Sequence, residues 1–144
     1  MINLFITRNN TKGIAIAEAA LIIPILVGIV FLMIEFGNVY YLINNLNQAA
    51  RSAARYASLT PSYTQQDLTN NSGASSLFSD VSNFSLTISP SVGSAKSVGT
   101  SIIVTTQYAY TPLLNPFGFL SSNTTWSPIL KGSSTIRSEV AYAP

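Results

Sequence analysis

Lys12-Gly13-Ile14-Ala15-Ile16-Ala17-Glu18 opens a run that continues from Ala19 to Ile34 without a charged residue, broken only by Pro24 and Gly28. A basic residue and a glycine precede an apolar helix that carries a glutamate at its fifth residue counted from Ile14. A carboxylate just inside a segment suited to lipid is costly and calls for a partner or a function. Eleven Leu, Ile, Val or Phe residues lie between Leu21 and Ile34. At 0.3–0.6 kcal/mol each they favour insertion by about 3–7 kcal/mol, more than one acid near the end can cancel. The reading is a transmembrane segment over 14–36, with Pro24 expected to bend the helix or unwind a turn.

Before this run, Met1 to Lys12 carries Arg8 and Lys12 and no acid. The positive-inside rule therefore puts the N-terminus in the cytoplasm, with residues 1–13 as a charged leader. The hydrophobic region does not end in a small-residue cleavage site of the secretory type. It runs on through Ile34-Glu35-Phe36-Gly37, with Tyr40 and Tyr41 where an interfacial aromatic belt would sit.

Beyond the bilayer the helical period persists. Leu42, Leu46, Ala49, Ala50, Ala53 and Ala57 recur at three- and four-residue spacings, opposite a polar face of Asn44, Asn47, Gln48, Arg51 and Arg55. One helix from Ile14 to Ser58 would be roughly 65–70 Å long. Its alanine stripe has two readings: a bed for the C-terminal head, or, nearer the membrane, a surface for close helix-to-helix assembly. Arg51 and Arg55 read as a solvated face and, secondarily, as a contact for an acidic neighbour. Pro61 ends the helix.

The remainder, 60–144, reads as one small extracytoplasmic α+β head. Thr64-Gln65-Gln66-Asp67 has the form of an N-cap and first turn, with an interruption at Asn71-Ser72-Gly73. Phe84, Leu86 and Ile88 alternate with Ser85, Thr87 and Ser89, a half-buried strand, and a Gly/Ser/Lys loop from Pro90 to Gly99 suits a hairpin. Thr100 to Tyr110 is the strongest strand, with Ile102, Val104, Thr106, Tyr108 and Tyr110 on one face and Ile103 on the other. A third strand is expected over Gly132 to Tyr142, with Ile136, Val140 and Tyr142 alternating against Arg137 and Glu139. Pro112 to Leu130 has no clear period. Its Phe117, Phe119, Leu120 and Trp126 are expected to cover the open face of the sheet, a partner-binding patch being the alternative. The fold class is thus α+β: a long N-terminal helix packed by a small antiparallel sheet of three to four strands.

Composition narrows the function. There is no Cys and no His, and only 8% of residues are charged. Thiol nucleophiles, disulfides, zinc-finger patterns and imidazole bases are excluded together. Asp67, Asp80 and Glu139 are scattered, and no serine sits in a recognisable nucleophile context. The reading is non-enzymatic, with no cofactor and no metal. No basic stripe with interleaved aromatics appears, so nucleic acid is not an expected partner.

Laid out this way, the chain resembles the TadE-like pseudopilins, minor pilins of bacterial tight-adherence (Flp) systems. The resemblance is carried by Lys12-Gly13, by Ile14-Ala15-Ile16-Ala17-Glu18-Ala19-Ala20, by the Pro24-containing apolar helix, by Ile34-Glu35-Phe36-Gly37, and by Asn47-Gln48-Ala49-Ala50-Arg51-Ser52-Ala53-Ala54-Arg55-Tyr56-Ala57. The strand at Ile102 to Tyr110, Thr111-Pro112-Leu113-Leu114 and Ser134-Thr135-Ile136-Arg137-Ser138-Glu139 look similar as well. The resemblance implies cleavage by a prepilin peptidase between Gly13 and Ile14. It implies that Glu18 meets the amino terminus of a neighbouring subunit, and that the partners are other pilins or pseudopilins, an inner-membrane assembly platform and the lipid bilayer. Ile14 stands where major type IV pilins commonly have Phe, and the chain is longer than the major pilins of these systems, which favours a minor or initiating subunit. The alternative is a permanently membrane-anchored extracytoplasmic binding domain that does not polymerise.

Overall fold

The computed structural model describes residues 11–71, 73–78, 80–113 and 127–142. The expected apolar cover at Phe117, Phe119, Leu120 and Trp126 lies outside these residues, as does Arg8.

One helix, α1 (Thr11–Leu59), takes up 49 residues, about 73 Å at ~1.5 Å per residue. It begins before Gly13 and passes through Pro24 without an unwound turn. Proline removes a single backbone donor there, and the surrounding bonds of a long apolar helix hold the ladder together. The first half of α1 carries no part of the core: residues 13–34 are all exposed. From Glu35 onward one stripe becomes covered, first partly at Glu35, Val39 and Leu42, then fully at Leu46, Ala49, Ala50, Ala53, Ala54 and Ala57. The alanine stripe is therefore the bed of the head, and Asn44, Gln48, Arg51 and Arg55 stay exposed on the far side, with Asn47 half-buried.

The sheet that lies on this stripe has three antiparallel strands in the order of the chain: β1 (Phe84–Ser89), β2 (Ser101–Ala109) and β3 (Ile129–Arg137). Register aligns the inward residues in rows across it. Phe84, Tyr108 and Leu130 form one row, Leu86, Thr106 and Gly132 the next, and Ile88, Val104 and Ser134 a third. The inward set on β2 is as its alternation predicts, with Ile102, Val104 and Thr106 buried and Ile103 exposed.

The third strand differs from expectation. It starts at Ile129, not Gly132, and ends at Arg137; Val140 lies outside it, and Tyr142 forms only an isolated bridge with Lys96. The Gly132-Ser133-Ser134 run is poor strand sequence by propensity. It pairs because β2 supplies a continuous edge from Ala109 to Ser101, and because α1 crosses the sheet at Gly132. A Cβ placed on Gly132 would stand 2.7 Å from the carbonyl carbon of Leu46 and 2.8 Å from the backbone nitrogen of Asn47. Only glycine lets helix and strand backbones approach this closely. Opposite it, the buried Thr106 hydroxyl donates to the Leu46 carbonyl at 2.9 Å, tying the middle strand to the same turn of helix.

Between helix and sheet runs a short connecting layer. Helix α2 (Gln65–Asn70) begins at the expected N-cap Thr64, which forms a complete capping box with Asp67. Leu68 is buried beneath it. Phe78 stacks on Phe84 with ring centroids 4.7 Å apart and on Tyr108 at 5.3 Å, closing one side of the core.

Candidate functional site

The residues singled out from sequence lie at the exposed N-terminal end of α1. Gly13 and Ile14 sit in its first turn, with open space around the glycine where a side chain would project. The helix extends three residues before the expected start at Ile14, since Thr11, Lys12 and Gly13 are already helical. Glu18 follows one turn later, exposed among Ile14, Ile16, Leu21 and Ile22. Among the described residues it has neither a hydrogen-bond nor an ion-pair partner. The structure does not bring Arg51 or Arg55 to it; both are exposed on the distal half of the same helix.

Glu35 is the second carboxylate of the apolar run, and its situation is the opposite. The Tyr110 hydroxyl donates to Glu35 Oε1 at 2.7 Å, and the Leu113 backbone N–H lies 3.3 Å from Oε2. Tyr110 itself is buried, and its end of β2 is held by the Ser127 hydroxyl donating to the Tyr110 carbonyl at 3.1 Å. Burial, followed by the neighbouring carboxylate, pushes the Tyr110 phenol up to about 12, against the opposing effect of a hydrogen bond with Asn38. The head thus meets the helix first at Glu35 and satisfies it within the chain. Sequence reading assigned Glu35 no role, because its partner lies 75 residues away and the only local hint was an acid at the end of an apolar run.

The other end of α1 is closed by a residue that sequence reading left in a loop. No basic residue occupies the last turn of the helix. Instead Lys96 Nζ donates to the carbonyls of Ala57 at 2.8 Å and Thr60 at 2.6 Å, with the Tyr63 ring 4.7 Å away. The Glu139 N–H takes the Ser58 carbonyl at 3.0 Å, and the Ser58 hydroxyl takes that of Arg55 at 2.8 Å. A cation at the negative end of the helix macrodipole is favourable, and Lys96 and the Glu139 N–H satisfy carbonyls that the helix leaves orphaned. Burial pulls the Lys96 ammonium below its usual range.

This geometry defines a class of protein: among the described residues, one helix long and apolar enough to cross a membrane, its apolar window unburied, carrying a small α+β head on its distal half. Residues 13–55 match the family model described as TadE-like protein, which bears out the resemblance over the segment from Gly13 to Arg55. Comparison with curated proteins and with solved structures returned no match. The similarity to TadE-like proteins suggests a protein associated with the tight-adherence pilus, and the single apolar helix fits a membrane-anchored, pilin-like chain.

Proposed function

We propose that this chain is a minor pilin or pseudopilin of a tight-adherence pilus or a related secretion apparatus. Residues 1–13 are the leader, and a prepilin peptidase cuts between Gly13 and Ile14. Before assembly the protein spans the inner membrane once through residues 14–36, with its N-terminus in the cytoplasm and residues 60–144 outside. The platform that builds the pilus then brings it against other pilins.

The observation that carries this reading is the contrast between the two carboxylates of the apolar run. Glu35 is satisfied by the chain's own head, whereas Glu18 is exposed with no partner among the described residues. Cleavage after Gly13 would create an ammonium group at Ile14, one helical turn from Glu18. A free amine and a carboxylate on adjacent helices, each lacking a partner in lipid, offset each other's desolvation when paired. Glu18 is then a recruitment element, completed by a neighbouring subunit.

Replacing Glu18 with alanine tests this. The variant is expected to insert and to be processed normally, yet to be missing from sheared surface filaments or to lower their yield. Normal filament output with normal incorporation of the variant would remove the proposed pairing.

A further inference from the structure

We propose that the corner of the head from Tyr110 to Leu113 is a second membrane contact, seated in the lipid headgroup layer beside the helix that spans the bilayer. The proposal rests on reading 14–36 as the membrane-spanning segment. Measured along the axis, Glu35 lies some 32 Å from Ile14 at ~1.5 Å per residue, and the hydrocarbon core is about 30 Å thick. Glu35 therefore stands at the outer boundary of the core. Whatever binds it must reach that boundary.

Two groups of the head do so: the Tyr110 hydroxyl and the Leu113 backbone N–H both meet the Glu35 carboxylate. The hydrogen bonds fix the depth of this corner relative to the span. At its tip the corner presents Leu113, 70% exposed, beside the half-buried Pro112 and the exposed Thr111. Around the helix at the same level and just above it stand Phe36, Tyr40 and Tyr41, exposed by 72%, 71% and 63%. Together they form an aromatic and aliphatic collar of the kind found where a protein meets the lipid–water interface. A large exposed leucine at this depth faces lipid and headgroups, since the surface is continuous with the span itself. Elsewhere among the described residues of the head, Val98 is also exposed but adjoins Ser97, Gly99 and Thr100.

The consequence is orientational. One helix through a bilayer leaves its extramembrane domain free to tilt, whereas a second contact limits the tilt and presents the same face to a neighbouring subunit. The Glu35 to Tyr110 hydrogen bond is the rigid element that transmits this constraint, because it joins the spanning segment to the end of β2.

The chain has no cysteine, so single thiols can be placed without a background. The full-length protein is prepared as three variants, Leu113→Cys, Val98→Cys and Val30→Cys, labelled with a nitrobenzoxadiazole dye. Each is reconstituted in phosphatidylethanolamine/phosphatidylglycerol vesicles containing a lipid with a nitroxide near the headgroup or one deep in the acyl chain. Leu113→Cys is expected to be quenched by the shallow nitroxide at least about twofold more than Val98→Cys, as for an interfacial residue. Val30→Cys is expected to be quenched best by the deep nitroxide. If Val30→Cys behaves so while Leu113→Cys matches Val98→Cys, the span stands and the headgroup contact is overturned. If Val30→Cys is quenched by neither lipid, the span itself is wrong and the contact falls with it.

Discussion

Replacing Gly132 with alanine should damage the head at one identifiable place. The added Cβ would lie 2.7 Å from the Leu46 carbonyl carbon, 2.8 Å from the Asn47 nitrogen and 2.9 Å from the Leu46 Cβ, where ordinary contact begins at 3.4 Å. Two of these three neighbours are helix backbone, which cannot rotate away as the end of a flexible side chain could. Helix and strand must therefore separate by a substantial part of that shortfall. Overpacking of this kind costs about 1–3 kcal/mol. The separation also stretches the Thr106 hydroxyl away from the Leu46 carbonyl, a buried bond now 2.9 Å long, for roughly another 1 kcal/mol. For a head of this size the sum corresponds to a fall in Tm of at least about 8 °C. Thermal unfolding of the detergent-solubilised full chain, followed by near-ultraviolet circular dichroism, reads the head through its aromatic core. Gly132→Val should be worse than Gly132→Ala. An alanine variant that melts within a degree of the parent would refute the close crossing and the account of why β3 starts where it does.

Other expectations follow from the ends of α1. Lys96→Met keeps the aliphatic stem but removes the donors to Ala57 and Thr60, and should cost about 2 kcal/mol by chemical denaturation. Because burial lowers the Lys96 ammonium below its usual 10.5, the unfolded chain holds that proton more tightly. The Lys96 contribution should therefore rise with pH from its folded value up to 10.5, so the gap between parent and Lys96→Met widens over that alkaline window. The tyrosines act in the opposite sense: Tyr63 and Tyr110 are both raised, so stability that is whole below pH 10 is lost as the pH climbs toward the Tyr110 value of about 12. Tyr110→Phe should reduce that alkaline loss and destabilise the head by roughly 1 kcal/mol at neutral pH, which denaturant titrations at pH 7 and pH 11 would measure. Thr106→Val, of equal shape, should cost about 1 kcal/mol by the same assay, through loss of the buried hydroxyl's bond to the Leu46 carbonyl.

Much of this architecture was legible in the sequence because it rests on local periodicity. The long helix, its alanine bed, the N-cap at Thr64 and the alternation in β1 and β2 each follow from residues a few positions apart. What escaped depends on contacts between distant segments. The beginning of β3 falls in a Gly-Ser-Ser run that no propensity scale favours, and its assignment needs the knowledge that α1 passes over Gly132. Lys96 looked like a loop residue because nothing local marks it as the cap of a helix that ends at Leu59, and Glu35 drew no role because its partner Tyr110 is 75 residues away. At the candidate site the pattern from Gly13 to Glu18 was readable, and the helix only extended it backward to Thr11. The functional contrast between Glu18 and Glu35 required the fold, since it consists in one of them finding a partner across the chain.

Processing is the central claim, and the N-terminal sequence of the native protein recovered from membranes tests it most directly. The account predicts a mature chain that begins Ile14-Ala15-Ile16-Ala17-Glu18, and accumulation of the uncut form when Gly13 is replaced. A membrane protein that still begins at Met1 in cells making the pilus would contradict it, as would unchanged cleavage at Ile14 in the Gly13 variant.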